Sequence, residues 1–290
     1  MVGSLPAIVS TSSIKPRAGL QGHLCLTCAL DSRGVSHLRR QSFRAPMHIS
    51  KPHLEAGTLV VNVVNPTAGL LDGDEIKCDI AVEEGARLLL TAPSASRAHR
   101  MRSGRAVLTQ EFRVASGGFL DVWPELFIPQ AGTRYHQRTT ARVESGGTLL
   151  LAEMLAPGRV ASGEAFAYEW LRWETDLFTG SEQIARERYT LQPGTPSVEA
   201  MRRVFPNAYY GSLYVVSEQI EESAACWGAM HDLQSEQAWV GVSRLRKAGW
   251  VVKIVAAESL GLRGAMAAVR RLIYAALGVE EPDLRRASAL

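Results

Sequence analysis

Three stretches in the middle of the chain repeat one order of apolar and polar residues. In each, alternating positions lead to a valine, two turn-forming residues and a pair of small residues, at V82-E-E-G-A86, V114-A-S-G-G118 and V143-E-S-G-G147. The valines lie 32 and 29 residues apart, and a second apolar run follows each turn, at 87–92, 119–123 and 148–154. Period-two alternation, a glycine corner and a second apolar run predict a pair of strands used three times.

Repeated units of this length cannot bury an apolar face alone, so they must stack on their neighbours. We therefore predict a mainly β fold, a β-helix-like two-layer sandwich of many short strands. Eleven residues after each valine stand Pro93, Glu125 and Met154, where each strand pair gives way to an irregular segment. Because equivalent segments of stacked units emerge at the same edge, the three segments are expected to form one surface.

The carboxy-terminal third changes character and predicts about two α-helices. The first is expected after a strand at 209–216, with Ser217 as N-cap and an apolar stripe of Ile220, Ala224, Trp227 and Met230. The second is expected to begin after Ser259 and to end at Gly278. Both apolar stripes are interpreted as core.

The composition indicates a soluble globular protein. Of 290 residues, 46% are hydrophobic and 21% are charged, which is enough for a sizeable core. We predict a flexible tail at 1–18, a single β-rich domain at 19–280 and a second tail at 281–290. No signal-peptide pattern and no run of about 18 apolar residues is found, so we expect a cytoplasmic protein without a membrane partner.

Charge is spread unevenly along the chain, although its net value is only +3. Residues 1–50 and 87–113 are basic, whereas 218–236 carries acids without Lys or Arg. No recognised nucleic-acid motif accompanies the basic tracts. We predict a polarised protein-binding surface and no nucleic-acid partner.

Asp72 and Asp74 end a sharply folded loop, N65-P-T-A-G-L-L-D-G-D74. Two interpretations stay open: the carboxylates cap backbone amides of the turn, or they are hard oxygen ligands on a route for a divalent cation. Three glutamates at or beside the repeat edges extend such a route in the second interpretation and are surface or capping residues in the first: Glu125, Glu153 and Glu164. Carboxylates with water suit weak, exchangeable metal binding.

Motifs for nucleotide binding or nucleophilic catalysis are absent from the sequence. It contains no G-x-x-x-x-G-K-[ST], no G-x-G-x-x-G and no G-x-S-x-G. We therefore expect no enzymatic activity, and no GTP hydrolysis by this chain itself.

Five motifs in order resemble the D-type urease accessory proteins, the UreD or UreH family. They are the 65–74 loop, the segment G85-A-R-L-L-L-T91 with its small-residue and basic continuation, P124-E-L-F-I-P-Q-A-G-T-R-Y-H-Q-R138, G158-R-V-A-S-G-E164 and G241-V-S-R-L245. The resemblance covers roughly residues 20–278. It departs from the usual pattern at Ala68 and at Ala98-His99.

The resemblance implies a β-helical sandwich with two helices and a non-catalytic role in urease maturation. Such a protein docks on apo-urease with the accessory proteins UreF and UreG, and GTP hydrolysis by UreG drives nickel into the urease active site. It implies transient nickel in place of a tightly bound cofactor. In the interpretation of the acids as oxygen ligands, the nickel passage runs past Asp72, Asp74, Glu125, Glu153 and Glu164. The edge arginines Arg97, Arg100 and Arg159 are predicted to contact partners.

Two other functions are compatible with a β-solenoid. A polysaccharide-processing enzyme would need paired catalytic carboxylates in a long aromatic groove, and the 7% of aromatic residues are spread along the chain. A metal-free β-sandwich interaction module would need none of the acidic residues as ligands.

Overall fold

The computed structural model describes residues 19–67, 69–221, 224–247 and 249–284. The predicted tail at 1–18 and the loop residue Ala68 therefore lie outside the described residues, as do 285–290 of the second predicted tail.

In the described part of the chain the first sheet has seven strands, and three of them, β6, β9 and β12, carry the alternating half of the three repeats. In spatial order it runs β15-β14-β12-β9-β6-β1-β2. The strands are β1 Gln21–Leu30, β2 Ser36–Arg44, β6 Glu75–Val82, β9 Ala106–Val114, β12 Arg134–Val143, β14 Trp170–Thr179 and β15 Glu182–Leu191.

The second sheet has eleven strands among the described residues, and its main path runs β17-β18-β16-β13-β10-β7-β5-β3. Short strands β4, β8 and β11 pair off this path. The strands are β3 His48–Ile49, β4 His53–Glu55, β5 Thr58–Val64, β7 Arg87–Thr91, β8 Ser96–Ala98, β10 Phe119–Trp123, β11 Phe127–Pro129, β13 Thr148–Leu155, β16 Tyr209–Ser217, β17 Ala238–Arg244 and β18 Gly249–Ala256.

The sequence repeat is the stacking unit of the fold. Strands β6, β9 and β12 pair in parallel, with Val82, Val114 and Val143 opposite one another. Their partners β7, β10 and β13 also pair in parallel, in the second sheet. Gly117 and Gly146 turn the corners with φ of 65° and 77°, which is why glycine recurs there. The predicted mainly β, β-helix-like sandwich is confirmed.

Two apolar clusters hold the layers together. The larger cluster fills the space between the two sheets and includes Leu26, Ile80, Phe112 and Leu149. A second cluster lies on the opposite face of the second sheet, where the helices cover it. The sandwich therefore has two β layers with a partial third layer of helices.

Three α-helices are present in the described part of the chain, one more than predicted. They are α1 Pro196–Val204, α2 Ala225–His231 and α3 Ser259–Ala276. Helix α3 confirms the second prediction. The missed helix α1 has Pro at its start after Thr195, a typical N-terminal signal. None of the described helices is both long enough and apolar enough to span a bilayer.

The predicted start of the first helix is wrong. Ser217 is the last residue of β16, which pairs along its length with β13 and β18. Its hydroxyl lies 3.0 Å from the Thr148 hydroxyl, and the Glu218 carboxylate accepts hydrogen bonds from the Ser145 hydroxyl and the Gly146 amide. These cross-strand contacts keep the chain extended, and the helix begins only at Ala225.

A buried arginine ties α3 to the second sheet. The Arg270 side chain is 0% exposed, and its Nε donates to Asp121 of β10 at 2.8 Å. Its Nη1 donates to Glu281 at 2.5 Å and to the Pro282 carbonyl. Contacts with the domain thus continue at Glu281, inside the segment predicted as a tail from 281.

Candidate functional site

The irregular segments that follow the repeats lie side by side at one edge of the sandwich. The amide of Leu70 donates to the Arg97 carbonyl at 2.8 Å, and the amide of Ser96 donates to the Leu126 carbonyl at 2.9 Å. The Ala156 amide donates to the Phe127 carbonyl at 2.9 Å and adds the third segment. Met154 itself lies inside β13, so that segment begins two residues later than its repeat position. The predicted common surface is confirmed, and we call it the loop edge.

The Asp72 carboxylate caps a neighbouring loop. Its Oδ2 accepts the amides of Arg102 and Ser103, each at 3.0 Å, and its Oδ1 accepts the Gly104 amide at 2.8 Å. Partial burial opposes ionisation, but these three amides and the nearby Arg134 guanidinium together hold the pKa of Asp72 below its ordinary value. Both oxygens are therefore engaged by the protein.

The Asp74 carboxylate is buried, with 2% of the residue exposed. Its Oδ1 accepts the Leu20 amide and its Oδ2 accepts the Leu71 amide, each at 2.8 Å. Asp74 thus joins the start of the domain to the 65–74 loop. The two aspartates hold different segments, as expected when carboxylates cap backbone amides.

Glu164 is fixed within its own loop. It forms a two-point ion pair with Arg159, including a 2.8 Å bond from Nε, and accepts the Ala131 amide at 3.2 Å. The pairing with Arg159 lowers the pKa of Glu164 below its ordinary value. Arg159, Arg97 and Arg100 are exposed at the loop edge, where the sequence places them.

A cavity of about 190 Å³ lies between the two sheets and reaches the loop edge. Its lining includes Asn65, Leu70, Ser96 and Glu125 of the loop edge and Glu153 near the end of β13, among other residues. Glu125 also forms an ion pair with Arg263 of α3 at 2.5 Å. Two of the predicted acids therefore share one cavity, whereas Asp72, Asp74 and Glu164 are not among its lining residues.

Glu153 carries a buried carboxyl group into this cavity. The residue is 9% exposed, its Oε1 accepts the Gln137 amide at 2.7 Å, and its Oε2 lies 3.3 Å from the Ser212 hydroxyl. Loss of hydration raises the pKa of Glu153 to about 7. The group therefore exchanges protons near neutral pH, unlike an ordinary surface glutamate.

Further polar groups that line the cavity or lie beside it were not predicted as site residues. The Gln137 amide also contacts the Thr139 hydroxyl at 3.4 Å, which in turn accepts the Gln110 amide at 3.1 Å. The Tyr135 hydroxyl donates to the Gln137 carbonyl oxygen at 2.9 Å. The sequence did contain a signal for them. Gln110, Gln137 and Thr139 stand at inward-facing positions of alternating strands, where an apolar core would have apolar residues.

No group of three or more His, Cys, Asp or Glu side chains able to hold a metal ion is found in the part of the chain that the structure describes. Of the five predicted acids, the structure brings Glu125 and Glu153 to one cavity and assigns the other three to loop contacts. A metal role for any of them stays a prediction.

A stacked β-sandwich with irregular loops at one edge and a cavity lined by apolar residues and a few polar groups belongs to the solenoid-like scaffolds, which present binding surfaces on such edges. A model of the UreD urease accessory protein family matches residues 20–288. A urease accessory protein UreD from Opitutus terrae is 39% identical over 91% of this chain and 98% of its own length. Another from Acetivibrio thermocellus is 30% identical over 90% of this chain and 100% of its own length. The chain belongs to the UreD family of urease accessory proteins, and the predicted resemblance is confirmed.

Proposed function

We propose that this protein is a non-catalytic, cytoplasmic maturation factor for urease. It docks on the urease apoprotein together with UreF and UreG and assists GTP-dependent insertion of nickel into the urease active site. Nickel is a transient cargo, and the protein holds no tightly bound cofactor.

The observation that carries this proposal is the cavity lined by Glu125 and Glu153 in a chain of the UreD family. A space of about 190 Å³ between two sheets is unusual in a close-packed interior and is large enough for several water molecules. Carboxylate and amide oxygens with water suit a weakly held divalent cation. The loop edge supplies exposed arginines for docking, and the missing phosphate-binding motif leaves GTP hydrolysis to UreG.

The test is urease maturation in a strain that lacks this gene. Restoring the wild-type gene is expected to restore urease activity and nickel content. Leu108 lines the cavity and is partly buried, so Leu108→Trp fills the space from one wall. This variant is expected to co-elute with UreF as the wild type does but to yield urease with less nickel.

The matched control is Arg97→Ala at the exposed loop edge, which leaves the cavity unchanged. It is expected to weaken partner binding at unchanged thermal stability. Full nickel loading by a folded Leu108→Trp variant would exclude the cavity as the route. Failure of the wild-type gene to restore urease activity would contradict the maturation role as a whole.

A further inference from the structure

Glu153 is the first member of a polar row that runs to the open side of the sandwich. Ser212 of β16 lies opposite Glu153 of β13, and Lys253 of β18 lies opposite Ser212. The row ends at Gly241 of the edge strand β17, which lies opposite Lys253. Because residues opposite each other share a face of the sheet, all four positions face the space between the sheets.

Gly241 leaves the end of this row open. Among the described residues other than its chain neighbours, the one atom within 4 Å of a Cβ added there is the Lys253 carbonyl oxygen, at 3.9 Å. Its φ lies outside the left-handed region, so the backbone does not demand glycine. The motif G241-V-S-R-L245 therefore begins with a residue whose missing side chain keeps the edge of the sandwich clear.

Lys253 closes this side with an ion pair across the gap between the sheets. Its ammonium contacts Oε1 of Glu187 on β15, the edge strand of the first sheet. Oε2 of Glu187 accepts the hydroxyl of Tyr214, a residue that is 2% exposed. The buried Tyr214 hydroxyl thus holds the Glu187 carboxylate in place. The Lys253 side chain is 40% exposed and has four rotatable carbon–carbon bonds, so it is the mobile partner of the pair.

The charges of this pair act on Glu153. Glu187 raises and Lys253 lowers the pKa of the Glu153 carboxyl group, after the larger effect of burial. The Lys253 ammonium therefore acts on both carboxyl groups: it pairs with Glu187 and favours the ionised form of Glu153.

We propose that Lys253 and Glu187 form a cation gate at the side of the cavity, in which the Lys253 ammonium holds the place of a divalent cation. A cation that moves along the row between Glu153 and the opening over Gly241 displaces the ammonium, which swings into solvent, and the ammonium returns when the cation has left. The ammonium thereby keeps affinity low and release fast. This inference rests on the proposed role in nickel transfer.

The test is nickel binding by the purified full-length protein and its Lys253→Met variant, measured by equilibrium dialysis with Ni²⁺ alone and by stopped-flow release to a chelator. Methionine keeps an unbranched side chain and removes the charge. Loss of a competing, solvent-screened charge is expected to lower the nickel Kd about threefold and to slow release by a similar factor.

Lys247→Met is the matched control, because Lys247 forms an ion pair with Glu182 between the same two edges but outside the row. It is expected to leave nickel binding unchanged. Gly241→Val, with space for its side chain, is expected to slow both uptake and release at an unchanged Kd.

Equal nickel Kd and release rates for the wild type and Lys253→Met, including no measurable binding by either, would overturn the gate. A threefold change in Lys247→Met as well would also overturn it, because the effect would then be one of general surface charge. Both measurements are independent of urease activation, so they separate failure of the gate from failure of the maturation role.

Discussion

Replacing Asp74 separates a structural role of the 65–74 loop from a role in metal transfer. Asp74→Ala removes the acceptors of the Leu20 and Leu71 amides, both 2.8 Å from the carboxylate, at a residue that is 2% exposed. Hydrogen bonds to a charged group contribute about 1.5–3 kcal/mol each. We take the lower end of this range, because Leu20 and Leu71 are 46% and 48% exposed and the two hydrogen bonds are only partly buried.

Two such bonds give an expected loss of about 3 kcal/mol in the free energy of unfolding. In a chain of this size about 1 kcal/mol lowers the melting temperature by about 2 °C, so the expected fall is about 6 °C. Asp74→Asn keeps one acceptor oxygen and turns an N–H group toward the other amide. Because each carboxylate oxygen accepts a different amide, Asp74→Asn loses one of the two hydrogen bonds. We therefore expect it to lose about half as much free energy of unfolding as Asp74→Ala.

The assay combines thermal unfolding followed by circular dichroism with the nickel content of urease from cells that carry each variant. In the capping interpretation, nickel content falls only as far as the amount of soluble variant falls. A variant of wild-type stability and wild-type amount that still yields nickel-poor urease would refute this reasoning and favour Asp74 as a ligand.

Two further predictions concern the interior and the corners of the β-coil. Below pH 4.5 the Glu153 carboxyl is protonated in the folded and the unfolded chain, and its folded pKa is raised from 4.5 to about 7. The folded state therefore binds more protons between these values, and stability falls as pH rises through them. Glu153→Gln is expected to remove up to about 3 kcal/mol of this loss at pH 8 in urea unfolding; equal pH profiles for both proteins would contradict the burial of this charge. Gly147→Val is expected to cost about 1–3 kcal/mol, because a Cβ there lies 2.8 Å from the Ala115 carbonyl oxygen, whereas Gly147→Ala should cost less, since Ala86 occupies the equivalent corner of the first repeat. Equal stability of the valine variant and the wild type would exclude this crowding.

Local pattern and spacing alone determined the architecture of this protein. The alternating positions before Val82, Val114 and Val143 and the glycine corners after them predicted the stacked strands, and the structure places these valines in one row. This succeeded because strand alternation has a period of two and each corner needs its own glycine, so both signals are short-range. The common loop edge followed from the same repeat.

Long-range pairing decided the rest. Whether Ser217 ended a strand or began a helix depended on Thr148, which is 69 residues away. The role of each acid likewise depended on residues distant in the sequence. Asp74 accepts a hydrogen bond from the Leu20 amide, whereas Glu153 bonds to Gln137 of the other sheet and to Ser212 of the neighbouring strand. A carboxylate has the same local sequence signal whether it caps an amide or faces a cavity, because its hydration and its hydrogen-bond donors come from other strands. Only the tertiary structure therefore separated the acids that hold loops from those that line the interior.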